Sequence, residues 1–186
     1  VSSPNTPGLR KLQNRQQLQQ LIPAITDINT ELANEHKTNP RPIFLKIAPD
    51  ISEYQLDDFQ HIVEATQLNG IIATNTSLSR ANLKTKASVV DSLGAGGLSG
   101  QPLKTYSREL VRQLYRRVGD QVPIIGVGGI QSGHDAWQMI LAGASLVQIY
   151  TGFIYGGPST VKRINQYLLK KIEDHDLQNV SAAIGK

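Results

Sequence analysis

Cysteine is absent from the sequence, aromatic residues are few, and no apolar run is long. Without cysteine the 186-residue chain can form no disulfide bond, thiolate nucleophile or cysteine-ligated metal site, and this is typical of a cytosolic compartment. Aromatic residues make up only 5%, and the net charge of +4 is spread along the chain, which argues against a nucleic-acid-binding surface. No apolar run approaches the roughly 20 residues of a membrane span, so we expect a soluble chain.

The histidines form no recognisable catalytic or metal-binding pattern. They fall in predicted connections, helices or the C-terminal tail, at His36, His61, His134 and His175. No His-x-x-x-His spacing occurs, so we expect no metal site. Ser3 has no identifiable histidine partner, and a serine-hydrolase triad is therefore disfavoured.

Short apolar runs alternate with segments of helical periodicity. The runs predict strands at 43–47 and 70–74 and at the starts of 122–130 and 146–152. The periodic segments predict helices with apolar faces, which comprise Leu18, Leu21, Ile22, Ile25, Ile28 and Leu32; Leu56, Phe59, Ile62 and Val63; Leu110, Val111, Leu114 and Val118; and Val161, Ile164, Leu168 and Ile172. Such alternation predicts an α/β fold with a parallel sheet, either doubly wound or a (β/α)8 barrel.

The residues at the predicted strand ends favour the barrel. A doubly wound sheet is disfavoured because no Gly-x-Gly-x-x-Gly enters a helix. Polar residues or glycines instead follow the strands, where a barrel places its active site, at Ser3, Lys46, Thr74–Asn75, Gly128–Gly129 and Tyr150–Thr151. Only four whole strand–helix units follow a strand end at Val1. We therefore predict that residues 1–186 form one domain, the C-terminal half of a (β/α)8 TIM barrel, with the N-terminal half absent.

Two of the predicted strands run directly into glycine. The apolar run that opens residues 122–130 is followed by Gly128 and Gly129, and the run that opens residues 146–152 is followed by Gly152. Glycine removes the side chain where a ligand could approach main-chain N–H groups, so two adjacent strand ends of this kind predict a phosphate cradle. Two tight turns are the simpler alternative.

A second group of polar residues lies at the ends of the predicted strands 43–47 and 70–74. Lys46 lies in an otherwise apolar strand and predicts a cation in the barrel mouth, or alternatively a lysine that reaches outward to solvent. Asn75 offers donors and an acceptor to a planar ligand, or closes the strand in an Asx turn. The following segment, from Asn75 to Pro102, is too long for a simple connection and predicts a functional loop.

Six short motifs follow one another in order along the chain. They are SSPNTPGLR (2–10), KIAPD (46–50), ATNT (73–76), GGLSGQPL (96–103), PIIGVGG (123–129) and GASLVQIYT (143–151). Together they closely resemble the C-terminal half of dihydroorotate dehydrogenase, the flavin enzyme of pyrimidine synthesis. Ser3 stands where the quinone-dependent (class 2) branch of that family keeps a serine and the other branch a cysteine.

The resemblance implies an FMN cofactor and a role for each of ten residues. Ser3 would take the proton from carbon 5 of dihydroorotate while hydride leaves carbon 6, helped by a water or by a hydroxyl such as that of Thr6. Lys46 would lie against the pyrimidine edge of the flavin, where negative charge grows. The implied substrate-binding residues are Asn5, Asn75 and Thr76. The other implied FMN-binding residues are Thr74 and Gly100 at the ring and Gly129, Tyr150 and Thr151 at the phosphate.

The resemblance also implies features that lie outside this sequence. These are the first barrel strands and the short helices through which the family binds quinone and the membrane. We expect the full-length parent to be a peripheral protein on the cytoplasmic side of the cell membrane, and residues 1–186 alone to be inactive. Two alternatives stay open, which are another FMN-binding barrel oxidoreductase and a non-catalytic half-barrel that binds a phosphate or a partner protein.

Overall fold

The computed structural model describes all of residues 1–186 and contains one parallel sheet with helices around it. The strands are β1 (Phe44–Ile47), β2 (Gly70–Ala73), β3 (Ile124–Val127) and β4 (Leu146–Gln148). The helices are α1 (Arg15–Glu35), α2 (Glu53–Ala65), α3 (Ala87–Ser92), α4 (Lys104–Val118), α5 (Gly133–Leu141), α6 (Thr151–Gly156) and α7 (Thr160–Asp174), with 3₁₀ turns at Leu9–Gln13, Gln101–Leu103 and Val180–Ala183. None of the helices is both long enough and apolar enough to cross a bilayer.

The four strands are parallel and lie in chain order, β1-β2-β3-β4. One face of the sheet is buried against helices, through Leu45, Ile47, Ile71, Ala73 and Ile124. On the other face Lys46, Ile72, Ile125 and Leu146 form one register row, and none of these four residues is fully buried. The predicted class, α/β with parallel strands, is confirmed. We call the sheet face that carries Lys46 the inner face, and in this chain it is open.

Helices α2 and α4 follow their predicted apolar faces closely. Every residue of both predicted faces is buried in the main core. Ser52 begins α2 with a capping box, in which its hydroxyl accepts the Gln55 N–H and the Gln55 side chain accepts the Ser52 N–H. Ser132 and Asp135 form the same arrangement at the start of α5. These local signals are strong because each satisfies backbone donors that a helix start leaves free.

Helix α1 buries only two of the six residues of its predicted apolar face, and Leu21 is half-buried. Leu18 and Ile22 are buried, whereas Ile25, Ile28 and Leu32 are 43%, 57% and 48% exposed. The helix packs against α2, and because β1 is an edge strand, no further strand–helix unit lies beyond it to cover the rest of this face. Pro23 lies in the interior of α1, beyond the first turn.

Both ends of the last strand–helix unit depart from the pattern. Strand β4 is only three residues long, and Leu146 is 63% exposed because the open face continues to this edge. The polar C-terminal tail forms the 3₁₀ turn Val180–Ala183, and Ala183 is buried beside Trp137. The Trp137 indole stacks on the His175 imidazole with ring centroids 5.8 Å apart.

The long connection between β2 and α4 folds back on itself. Ser77 and Leu98 pair in an antiparallel bridge, with N–H···O distances of 3.0 and 2.7 Å, and enclose helix α3. We call residues 77–100 the excursion segment. A Cβ added to Gly97 would lie 1.8 Å from Oγ1 of Thr76 and 3.0 Å from Cγ of Pro4. The end of the excursion segment is therefore held tightly over the carboxyl end of β2.

Candidate functional site

A cleft of about 500 Å³ opens at the carboxyl ends of the strands. Parallel strands bring their carboxyl ends to one edge of a sheet, which is where α/β proteins bind ligands. Eight of the ten residues with a predicted role line this cleft, namely Lys46, Thr74, Asn75, Thr76, Gly100, Gly129, Tyr150 and Thr151. The volume lies within the range of small-molecule sites.

Lys46 contributes the only charge within the four strands. Its register row puts it on the open inner face of the sheet, beside Ile72, so its side chain enters the cleft and does not reach outward between helices. The ammonium forms neither an ion pair nor a hydrogen bond with the protein. It is therefore available to an anionic or electron-rich ligand.

The end of β2 is fixed by backbone and side-chain hydrogen bonds. Thr74 is buried, its N–H donates to the Val127 carbonyl at 2.9 Å, and its hydroxyl donates to the Asn75 carbonyl at 2.9 Å. Oδ1 of Asn75 accepts the Thr76 N–H at 2.8 Å, and its Nδ2 donates to Oγ of Ser2 at 2.9 Å. The Asn75 carboxamide thus closes the strand locally and also reaches the loop that carries Ser3.

The glycines that follow β3 leave main-chain donors free. The N–H groups of Gly128 and Gly129 donate no hydrogen bond within the protein, and the same holds for Tyr150 and Thr151. Gly129 has φ +71°, and a Cβ added there would lie 2.3 Å from Cα of Lys104. A cluster of free N–H groups with no side chain at its centre is suited to an anionic oxygen, such as that of a phosphate.

An ion pair between Lys104 and Asp135 fixes the position of the turn after β3. The Lys104 ammonium forms an ion pair with Oδ1 of Asp135, an atom that accepts no other hydrogen bond. Oδ2 of Asp135 accepts the N–H groups of Gln131 and Ser132 at 3.1 and 3.0 Å. Burial opposes ionisation of Asp135, but these partners outweigh it and hold its pKa below the ordinary value. The carboxylate therefore ties the turn after β3 to the starts of α4 and α5.

Ser3 and Asn5 lie on the neighbouring loop and do not line the cleft. Ser3 is half-buried, and its hydroxyl oxygen accepts the Asn5 N–H at 3.2 Å. Thr6, named as a candidate helper, is exposed and forms no side-chain hydrogen bond with Ser3. The adjacent Ser2 is the buried residue of this loop and the one that contacts Asn75.

Two residues to which the sequence assigned no role, Arg10 and Asp50, join the segments around the site. The Arg10 guanidinium donates to the carbonyls of Ser2 and Thr76 at 3.2 and 2.8 Å and to Oδ2 of Asp50 at 2.8 Å. Burial opposes ionisation of Asp50, but hydrogen bonds from Ser77, Leu78 and Arg10 hold its pKa below the ordinary value. Arg10 ends the motif at 2–10 and Asp50 ends the motif at 46–50, and no other feature of the sequence indicated a role for them.

Comparison with known proteins decides the family. A family model described as dihydroorotate dehydrogenase matches residues 1–172. The chain belongs to this family.

In the structure no group of three His, Cys, Asp or Glu side chains comes together as metal ligands would.

Curated relatives match the whole chain. Proteins named dihydroorotate dehydrogenase (quinone) from Synechococcus elongatus and a Nostoc species are each 46% identical over 189 and 191 residues, which cover 100% of this chain and 48% of each relative. A protein of the same name from Corynebacterium efficiens is 44% identical over 185 residues, 100% of this chain and 46% of the relative. The chain thus spans about half the length of the curated relatives it matches.

Solved structures agree with the sequence relatives. The Eimeria tenella dihydroorotate dehydrogenase in its ligand-free form superimposes with a TM-score of 0.89 at 39% identity, covering 100% of this chain and 53% of that one. The same enzyme in complex with ferulenol gives 0.87 at 38% identity, with coverage of 100% and 52%. These neighbours are TIM-barrel enzymes, and this chain corresponds to about half of their fold.

Proposed function

We propose that residues 1–186 are the FMN-binding and substrate-binding portion of a quinone-dependent dihydroorotate dehydrogenase, which oxidises (S)-dihydroorotate to orotate in pyrimidine (UMP) synthesis. One observation carries the proposal. In a member of this family, a single cleft joins an unpaired lysine, a polar strand end and free glycine N–H groups. Each of these groups matches a different part of a flavin and its substrate.

The donor set of the cleft fits FMN. The free N–H groups at Gly128, Gly129, Tyr150 and Thr151 suit a phosphate, because they donate without adding a side chain. Lys46 faces the same cleft with an unpaired ammonium and suits the pyrimidine edge of an isoalloxazine ring. Thr74 and Gly100 line the same cleft and are our proposed contacts to the flavin ring. When bound, FMN supplies the acceptor for the hydride that leaves carbon 6 of the substrate.

Ser3 is our proposed base for the proton on carbon 5. The Asn5 N–H donates to the Ser3 oxygen and would hold it in place while that oxygen takes the proton from carbon 5 and the serine's own hydroxyl proton passes to a water. Asn75 and Thr76 stand across from this loop and are our proposed contacts to the substrate ring and carboxylate, together with Asn5. A serine hydroxyl is a weak base at neutral pH, so its exact placement is decisive for the rate.

The open face of the sheet supports the proposal that this domain is the C-terminal half of a barrel. Purely parallel sheets normally have both faces covered, yet the row from Lys46 to Leu146 is open. The chain exposes 11098 Å², whereas a compact monomer of 20.3 kDa exposes about 8,800 Å². The excess of roughly 2,300 Å² is well above the ~800 Å² that each partner buries in a standard interface.

We infer from this excess that the catalytic unit includes polypeptide outside residues 1–186, and that this chain alone does not turn over dihydroorotate. Quinone reduction and peripheral attachment to the cytoplasmic face of the membrane are assigned, as part of the same proposal, to that additional polypeptide. The relatives named for quinone are about twice as long as this chain, which supports the assignment.

Flavin absorbance tests the proposal. FMN is mixed with residues 1–186 alone and with a longer protein that contains this chain and has the length of the relatives. The bound yellow chromophore is then exposed to dihydroorotate. We expect bleaching in the longer protein only. Bound FMN that dihydroorotate does not bleach would indicate another flavin-dependent barrel. A colourless protein that retains phosphate would indicate a non-catalytic half-barrel, and turnover by residues 1–186 alone would overturn the inactivity claim.

Lys46→Ala tests the residue that we place beside the flavin. Removal of the only charge in the strands should weaken FMN binding without unfolding the chain, because Lys46 makes no polar contact within the protein. Lys162→Ala on the exposed surface of α7 is the matched control. Equal FMN affinity in the two variants would remove the role given to Lys46.

A further inference from the structure

The Arg10 guanidinium is bonded to three separate segments at the mouth of the cleft. Its Nε donates to the Ser2 carbonyl, one residue before Ser3. One terminal nitrogen donates to the Thr76 carbonyl at the end of β2, and the other to Asp50, which follows β1. Each segment carries a different part of the proposed site, since Ser3, the pair Asn75–Thr76 and Lys46 belong to the first, second and third.

We propose that Arg10 is a positioning residue that sets the place of the Ser3 loop relative to the substrate-binding end of β2. The inference rests on the proposed function, because it concerns the same site. Arg10 does not line the cleft and acts only through the backbone it holds. Its side chain is 20% exposed, so its hydrogen bonds are partly shielded from water.

The geometry requires a guanidinium and not merely a positive charge. The three acceptors are two carbonyl oxygens and one carboxylate oxygen, and each is reached by a different nitrogen of the planar group. A lysine ammonium is a single point on a flexible stem and cannot hold three acceptors in fixed directions. Asp50 in turn fixes the guanidinium, because its oxygens also accept hydrogen bonds from Ser77 and from the Leu78 N–H at 2.8 Å.

Few other contacts hold the loop at this point. The Asn75 side chain donates to the Ser2 hydroxyl, and Pro4 lies near Gly97 of the excursion segment. Both contacts involve side chains, whereas Arg10 binds the main chain on both sides. Loss of Arg10 should therefore leave the sheet intact and free the loop.

The test compares Arg10→Lys and Arg10→Gln with Arg117→Gln. Arg117 is a matched control, since it also bonds one carbonyl and carboxylates, is 23% exposed, and lies on the outer side of α4. Backbone ¹⁵N order parameters in residues 1–186 report the loop. We expect values for Ser3, Asn5, Thr6 and Gly8 to fall below about 0.6 in both Arg10 variants, while Ile72 and Ile125 stay near 0.85 as in rigid backbone.

The second readout is dihydroorotate oxidation by the FMN-loaded longer protein, which contains this chain and has the length of the relatives. A misplacement of about 1 Å costs roughly 100-fold, so we expect kcat to fall about 100-fold in both Arg10 variants with a smaller change in KM. Rescue by Arg10→Lys, equal loosening of loop and sheet, or an unchanged loop would overturn the proposal. If the wild-type protein does not oxidise dihydroorotate, the proposed function fails, and the order parameters still decide whether Arg10 holds the loop.

Discussion

Gly129→Ala tests the close packing of the glycine cradle. A non-glycine residue at φ +71° costs about 1–2 kcal/mol, because its Cβ crowds the following carbonyl. The added Cβ would also lie 2.3 Å from Cα of Lys104, a backbone atom that cannot rotate away. Overpacking of this kind costs about 1–3 kcal/mol, so we expect a total destabilisation of about 2–5 kcal/mol.

Gly94→Ala separates the two contributions. Gly94 has φ +73°, almost the same as Gly129, but no atom lies within 4 Å of its added Cβ. Urea unfolding of both variants can be followed through Trp137, which is the only tryptophan and is buried. The difference between them should be about 1–3 kcal/mol, which is the packing contribution alone. Equal free energies of unfolding would refute the close approach of Gly129 to α4.

The remaining predictions concern acid stability and the open face. Because the pKa of Asp50 is lower in the folded chain than the ordinary value of an aspartate, its carboxylate stabilises the fold above that ordinary value and ceases to do so as the pH falls through the folded one. Asp50→Asn should therefore flatten the acid limb of the melting-temperature profile below about pH 4. Asp27→Asn is the control, because it removes an exposed carboxylate that forms no hydrogen bond or ion pair, and it should leave the acid limb unchanged. Ile124→Ala should cost about 2–5 kcal/mol, whereas Leu146→Ala should cost far less because Leu146 is 63% exposed; similar costs would mean that the inner face is covered.

Local patterns predicted the elements whose neighbours are all present in the chain. The faces of α2 and α4 were complete in the sequence because both helices pack on the sheet and on each other. The apolar faces of these two helices depend on short-range periodicity, which a single sequence contains. For Lys46 the sequence left both faces of the strand open, and the register of the sheet placed it on the inner one.

Features that depend on distant partners could not be predicted in this way. The exposed half of α1 has the same periodicity as a buried helix, and only the edge position of β1 shows that Ile25 and Ile28 have no neighbour. The fold of the C-terminal tail depends on Trp137, more than forty residues away from Ala183 in the chain. Arg10 and Asp50 meet across 40 residues, and no local pattern marks such a pair.

The unpaired ammonium of Lys46 makes the ligand part of the folding equilibrium. Water solvates this ammonium while the inner face is open, but the additional polypeptide that we propose would enclose it, and an empty cleft would then hold a charge without a partner. Any anionic ligand that binds only the folded chain adds RT ln(1 + [L]/Kd), about 2.7 kcal/mol at a hundredfold excess over Kd. The concentration of such a ligand during synthesis would then govern how much folded protein accumulates.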